Sequence, residues 1–346
     1  MVRPGEYLSS PADLPYIDRN VELGGRAVII LPYYSSEAEE WFGFVQYPDG
    51  RIQRVGLVDV VSGSFLASAP LKDDEDLALP LEDMVFQKMS FSGVARPLSG
   101  FEDVVESFAA LLELYERVSL DCAERRPGAT QTAQLLVNHL LVVARSGFDV
   151  LQEIIRAACS VTRRIDDTAK HLMNPLADSF AQVALNGDTP RTPEELVDKF
   201  RMPPALARFY SSHGPFLANV RAIRDEIVHR GHHAGFILHL DEGLAVITEA
   251  APWNKLAIWD EESLVRGRLG SLRKLFAYTI AETLSASTHF SEAFASCIAL
   301  PEALSPGNRV FLRGPLNHHL VELREVLETP WERREKLSVR MNVGDG

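Results

Sequence analysis

The stretch Thr130–Thr162, TQTAQLLVNHLLVVARSGFDVLQEIIRAACSVT, decides how the larger part of this chain folds. Its apolar residues Leu135, Leu136, Leu140, Val143, Phe148, Leu151, Ile154 and Ile155 recur at helical rather than alternating spacing. So long and apolar a run predicts a helix buried in a bundle, interrupted at Ser146-Gly147, where glycine weakens helix. Just upstream, Phe101–Glu124 sets Val104, Phe108, Leu111, Leu112 and Tyr115 on one face and predicts a second helix.

Working outward toward the C-terminus, Thr192-Pro193-Glu194-Glu195 reads as an N-cap, a proline at the first turn and acids at the positive end of the dipole. That short helix is expected to stop before Pro203-Pro204. Gly214-Pro215 opens a further helix to about Arg230, with Phe216, Val220, Ile223 and Ile227 as its apolar stripe and Gly231 as its end. Phe236–Leu240 and Leu244–Thr248 around Asp241-Glu242-Gly243 predict a β-hairpin. Asp260 is expected to cap a long helix through Ile280 to Ser287, and a last helix falls within Leu316–Leu327.

Toward the N-terminus the pattern becomes that of strands. Arg26–Leu31, Trp41–Val45 and Ile52–Val61 are short β-rich runs, the last two flanking a Pro48-Asp49-Gly50 turn. Leu71–Asp83 is acidic and contains Pro80, so a surface loop is expected there. Arg96-Pro97-Leu98-Ser99-Gly100 reads as a break. The expected fold class is α+β, with a small β-rich region over 1–98, a mainly α-helical unit with a short β-hairpin over 99–330, and a charged tail over 331–346.

The chain has 346 residues, 46% hydrophobic and 24% charged, with 35 Lys+Arg against 48 Asp+Glu and a formal charge of −13. No uninterrupted apolar window of about 18 residues occurs, so no spanning helix and no membrane association are expected. Met1–Asn20 lacks the apolar run of a secretory signal. Cys122, Cys159 and Cys297 are odd in number and far apart, which suits free thiols and a cytoplasmic setting. Residues 1–126 hold 11 basic and 22 acidic side chains, whereas 127–346 hold 24 and 26, so the acidity is concentrated in the first part. That balance excludes a non-specific nucleic-acid coat but leaves room for a local basic surface in the second part. Arg266, Arg268, Arg273 and Lys274 are expected on a solvated helix face.

The densest set of reactive groups is Arg221-Ala222-Ile223-Arg224-Asp225-Glu226-Ile227-Val228-His229-Arg230-Gly231. His229, with a reference pKa of about 6.5, suits proton transfer near neutrality. Arg224 can fork onto two phosphoryl oxygens and stabilise charge that builds in a transition state. Asp225 lies four residues before His229 and so on the same face, where it can orient the imidazole. Arg221 and Arg230 flank these as candidate RNA-binding cations, and Arg221 is also placed to pair with Asp225. Five helical steps of about 100° set Arg224 and His229 roughly 140° apart. One helix alone therefore aims them badly at a single phosphate, whereas two copies about a two-fold axis, or a loosened last turn, relieve the difficulty.

Arg224-Asp225-Glu226-Ile227-Val228-His229 resembles the Arg-x4-His signature of HEPN domains, with Asp225 where that family more often has Asn. The resemblance implies a helical bundle paired about a two-fold axis. It also implies a metal-independent endoribonuclease whose Arg and His face a cleft at the dimer interface. Attack by a ribose 2′-hydroxyl would then leave a 2′,3′-cyclic phosphate, and many members of the family serve in toxin, stress or phage-defence systems. RNA and a second copy of the chain are the expected partners, with a possible protein partner on the acidic N-terminal region. No cofactor and no metal are expected. The alternative is a non-catalytic helical dimerisation or interaction module that keeps the same surface.

Other candidates carry less. His229, His232, His233 and His239 lie close in sequence, but Gly231 is expected to break the helix between them and no HExxH is formed, so they read as loop histidines. His139 is expected to be hydrogen-bonded within the bundle and His318-His319 to decorate a surface helix. Trp41, Phe42 and Phe44 beside Tyr33-Tyr34 read as sheet core rather than a base-stacking platform. Neither a phosphate-binding GKS/GKT loop nor a GxSxG elbow occurs.

Overall fold

A computed structural model describes residues 7–8, 28–47, 51–88, 94–161, 173–229, 236–298, 300, 302–303 and 305–331. The fold is α+β. Among the described residues the first sheet has seven strands: β1 (Tyr7–Leu8), β2 (Val28–Ser35), β3 (Glu40–Gln46), β4 (Ile52–Leu57), β5 (Gly63–Ala67), β6 (Asp76–Ala78) and β13 (Arg309–Arg313). Their order is β1-β4-β3-β2-β5-β13-β6. β3 and β4 pair antiparallel from Trp41↔Leu57 to Gln46↔Ile52, as the flanking sequence predicts, although the turn residues 48–50 lie outside the described residues. The run at Arg26–Leu31 does not stop at Pro32. β2 carries on to Ser35 because the register shifts between Ile30 and Tyr33, and a proline without an N–H fits such an irregularity.

The strand β13 lies in a segment for which the sequence pattern predicts no strand. It comes from the C-terminal part of the chain and pairs with β5 over five residues and with β6 over three, so residues from both ends of the chain build one sheet. Trp41, Val60, Phe65, Ala67 and Phe311 form a small core under it, which confirms Trp41 as core. Phe42 and Phe44 are buried too, Phe42 beneath the Arg54 guanidinium.

The expected loop at Leu71–Asp83 instead contains β6 and the start of α1 (Pro80–Lys88). Its acidic run is divided: Asp73 and Asp74 are exposed, while Asp76 turns inward onto Arg313. Arg313 is only 1% exposed and grips Asp76 with Nε at 2.6 Å and a terminal nitrogen at 2.9 Å, while its other terminal nitrogen donates to Val60 O at 2.8 Å.

The helical body consists of α2 (Ala95–Ala123), α3 (Ala129–Val161), α6 (Pro204–His229) and α7 (Leu272–Cys297), with short α4 (Phe180–Ala184) and α5 (Pro193–Phe200) alongside, linked through the small antiparallel pair β7 (Leu185–Asn186) and β8 (Thr189–Pro190). Arg96–Gly100, read as a break, lies within the first turns of α2, where a proline without an N–H is tolerated. α3 runs unbroken through Ser146-Gly147. A Cβ on Gly147 would come within 2.9 Å of Thr283 on α7 and 3.2 Å of Val104 on α2, so the glycine permits close helix packing rather than a break. Thr192 caps α5 as predicted, and the Glu195 side chain bonds back to the Thr192 N–H to make a capping box.

α6 begins ten residues earlier than Gly214-Pro215 suggests and carries Pro215 in its interior. A proline there costs about 3 kcal/mol of helix stability. Burial of Leu206, Phe209, Tyr210 and His213 before it, and of Phe216, Val220 and Ile223 after it, keeps one stripe against the bundle and offsets that cost.

Asp260 does not start the long helix. It caps a single 3₁₀ turn, Glu261–Ser263, through its bond from Ser263 N–H at 3.0 Å. A second sheet intervenes, ordered β11 (Leu264–Val265), β12 (Leu269–Ser271), β10 (Gly243–Ile247), β9 (Leu238–Leu240), and its β9–β10 pair is the predicted hairpin. Gly270 fits because a Cβ there would lie 2.6 Å from Trp259. Ser271 then caps α7. The cations Arg266–Lys274 consequently share no helix face: Arg266 and Arg268 sit in a turn, and Lys274 is buried against Asp260 at 2.7 Å. The final expected helix is two short ones, α8 (His318–Val321) and α9 (Leu323–Glu328). Residues 332–346, most of the expected tail, lie outside the described residues.

Candidate functional site

The arginine-rich end of α6 is built on the bundle by Val220, Ile223 and Ile227, which are buried and fix the helix's rotation. That rotation leaves the polar residues between them toward its rim. Arg221 and Arg224, one turn apart, have side chains 32% and 27% exposed. Arg224 reaches Asp225 at 3.6 Å, a loose contact between neighbours, and Arg221 reaches Asp188 at 3.9 Å instead of the predicted Asp225. Glu226 is buried and takes the Lys255 ammonium at 2.5 Å, so it belongs to the packing of α6 rather than to the exposed face.

Two residues of α3 join this face that the sequence reading did not select. Arg145 lies 3.9 Å from Asp149, and Asp149 also feels the charge of Arg221. Burial raises the Asp149 pKa, and the two arginines only partly oppose that rise. The signal for them in the sequence is the i, i+4 Arg–Asp spacing on one face of α3. Arg145 and Arg221 thus share Asp149, and Arg224 stands one turn along α6 from Arg221, so partly exposed guanidiniums alternate with Asp149, Asp188 and Asp225. Near-balanced charge of this kind holds a phosphate by geometry more than by net field.

His229 is the last residue of α6, so the helix stays regular from Arg224 to the candidate base. The roughly 140° between them therefore stands, without a loosened turn in that span. The His229 side chain, Arg230, His232 and His233 lie outside the described residues. His239 is exposed on β9, on the hairpin.

Other histidines depart from expectation. His139 is exposed on α3 rather than held inside the bundle. His213, which carried no signal, is buried with Nε2 3.0 Å from His289 Nδ1. Burial and then His289 push it down to about 4, so it is neutral at pH 7 and serves the α6–α7 contact. His319, expected at the surface, is buried between α8 and α2.

All three cysteines are free thiols, Cys122 and Cys159 buried and Cys297 partly so. Among the described residues no helix is long and apolar enough to cross a membrane. Comparison with protein-family models, curated proteins and solved structures finds no match.

Proposed function

We propose that this chain is a HEPN-like, metal-independent endoribonuclease, acting on RNA at a composite site formed by two copies of α6. The observation that carries this reading is the pair of partly exposed guanidiniums, Arg221 and Arg224, one turn apart on a helix that ends at His229. Arg224 holds the scissile phosphate and stabilises its developing charge, while His229 takes the proton from the ribose 2′-hydroxyl. The oxygen then attacks phosphorus, the P–O5′ bond breaks, the departing 5′-oxygen takes a proton from water to become a 5′-hydroxyl, and the other product end is a 2′,3′-cyclic phosphate. Asp225 orients the imidazole, and Arg221 and Arg230 hold flanking phosphates. The angular separation on a regular helix makes the homodimer part of the mechanism, one copy supplying the arginine and the other the histidine. The free thiols fit a cytoplasmic location, and a toxin, stress or defence role accords with the resemblance. The acidic N-terminal region is the place for a protein partner.

The test is incubation of the purified chain with RNA in EDTA. Arg224→Ala and His229→Ala are each expected to cut cleavage by about 10²–10⁴-fold while the dimer persists in sedimentation. Equal cleavage by wild type and both variants would overturn the reading. The acids set against the arginines, Asp188 and Asp225, favour a second reading, a non-catalytic dimerisation module. It predicts a dimer that binds no RNA at 50 mM salt and cleaves none.

A further inference from the structure

Away from the arginine face, α2 and α8 bring together three side chains of metal-ligand type. Glu113 and Glu116 are three residues apart and share a face of α2, and His319 descends onto them from α8. The imidazole side chain is 5% exposed, while the two carboxylates stand at its rim, partly open to solvent. His319 Nε2 is 3.0 Å from Glu113 Oε2 and Nδ1 is 3.9 Å from Glu116 Oε1. One ligand atom from each residue falls within 4.8 Å of the other two.

The arrangement is braced from behind on both sides. Asn317, two residues before the imidazole and at the N-cap of α8, donates through Nδ2 to Glu75 O at 2.8 Å and Leu312 O at 3.0 Å, tying the start of α8 to the first sheet. Arg117 donates to Glu113 Oε1 at 2.7 Å and leaves Oε2 turned toward the imidazole. A ligand carboxylate whose other oxygen is hydrogen-bonded, and a histidine held on a fixed turn, are what a bound ion requires of its surroundings.

We propose that Glu113, Glu116 and His319 bind a divalent transition-metal ion of the zinc type, as a clamp between α2 and the C-terminal segment. A tetrahedral ion with N and O ligands near 2.0 Å sets its ligand atoms about 3.3 Å apart. The 3.0 Å between Nε2 and Oε2 needs an opening of only a few tenths of an ångström. The ion binds one imidazole nitrogen, Nε2 on the Glu113 side. Glu116, whose Oε1 lies 3.9 Å from Nδ1, reaches it by swinging its partly exposed side chain to the Nε2 side, and the open rim leaves the fourth position to water. An imidazole nitrogen beside two carboxylates suits zinc and its neighbours, whereas magnesium takes oxygen ligands and sheds its waters reluctantly. The clamp stands apart from the ribonuclease reading, whose chemistry proceeds in EDTA, so either can fail without the other.

The same three groups would also accommodate a proton bridging the imidazole and the carboxylates, and a titration separates the two. Full-length protein, stripped with chelator and dialysed, is titrated with zinc chloride by calorimetry, with bound metal counted by mass spectrometry. One zinc per chain is expected, with His319→Gln weakening binding about 100-fold and Glu116→Gln about 10-fold. A His232→Ala/His233→Ala variant should bind as wild type does, and millimolar magnesium should not displace the zinc. If His319→Gln is poorly folded by circular dichroism, the partly exposed Glu116→Gln decides alone. The proposal is overturned if wild type takes up no zinc at micromolar concentration, if Glu116→Gln and His319→Gln bind like wild type, or if only the His232/His233 variant loses the metal.

Discussion

Where β13 meets β6, a buried carboxylate, Asp76, is met by a guanidinium and by the N–H groups of Leu71 and Lys72 at 2.8 and 2.9 Å. Where β5 meets α1 and α2, another buried carboxyl, Glu82, is met by the Ser64 hydroxyl at 3.0 Å, and the same hydroxyl bonds to Glu102. Burial alone would raise both pKa values. At Asp76 the Arg313 and backbone donors overcome it, and the pKa falls below its ordinary value. At Glu82 burial wins, reinforced by the charge of Glu102, and pushes the group up to about 8. Ser64 has one proton for two carboxyls, so the second bond requires a protonated carboxyl, and Glu82 is the group that keeps it. Glu82 Oε1 has no hydrogen-bond partner among the described residues, whereas both Asp76 oxygens are bonded. One joint between sheet and helices is fastened by charge, the other by a retained proton, and the available donors decide which.

The comparison breaks most visibly at Arg313. Arg313→Met strands Asp76 in the interior, and urea unfolding at pH 7 should show a loss of about 3–5 kcal/mol. A loss below ~1 kcal/mol would mean the ion pair is not the fastening. Next comes the pH response of Glu82. Its folded pKa lies above the unfolded value, so its contribution is complete below about pH 4.5 and is lost as pH rises through about 8. Glu82→Gln presents an N–H where the acid presents its O–H and cannot ionise. It should flatten the stability profile between those limits and be more stable than wild type at pH 9, on the order of a few kcal/mol. Parallel profiles for the two proteins would remove the proton from the account. Asp76 has the opposite sign: its contribution is present above the unfolded pKa near 3.8 and is lost as pH falls through the depressed value. The smallest effect is expected for Ser64→Ala, which removes the shared hydroxyl and should cost about 1–3 kcal/mol at pH 6. A neutral result would show that Glu82 and Glu102 rearrange without it.

The joint at Arg313 also bears on how the N-terminal region can be probed. Deleting residues 1–98 would remove β5 and β6 and leave β13 and the Arg313 guanidinium without their partners. Effects of that region on oligomer state or RNA affinity are therefore better read from surface charge changes in the full chain.

Much of this architecture was legible one element at a time. The apolar spacing in Thr130–Thr162 marks α3, the Thr192 N-cap and Pro193 mark the start of α5, and Asp241-Glu242-Gly243 marks the β9–β10 turn. Each depends on neighbours within a few residues, where propensity and capping act. The errors share another origin. Pro215 reads as a helix start because local rules price the lost N–H but not the packing on either side of it. Asp260 reads as a long helix's cap because the intervening strands depend on pairing with β10. The arginine face was half legible: Arg221, Arg224 and Asp225 stand together in sequence, whereas Arg145 and Asp149 reach it from α3.

From its order of residues alone, this chain determined that it would be helical over most of its length, β-rich near its start, acidic in its first third and supplied with an Arg-x4-His string. Only the folded chain decided that Arg313 would close a sheet begun more than two hundred residues earlier, that Asp76 would keep its charge while Glu82 keeps a proton, and that His319 would meet Glu113. Periodicity and capping are local and can be read along one strand of text. Strand pairing and pKa depend on which distant groups share a low-dielectric interior, and that is settled only when the chain has returned on itself.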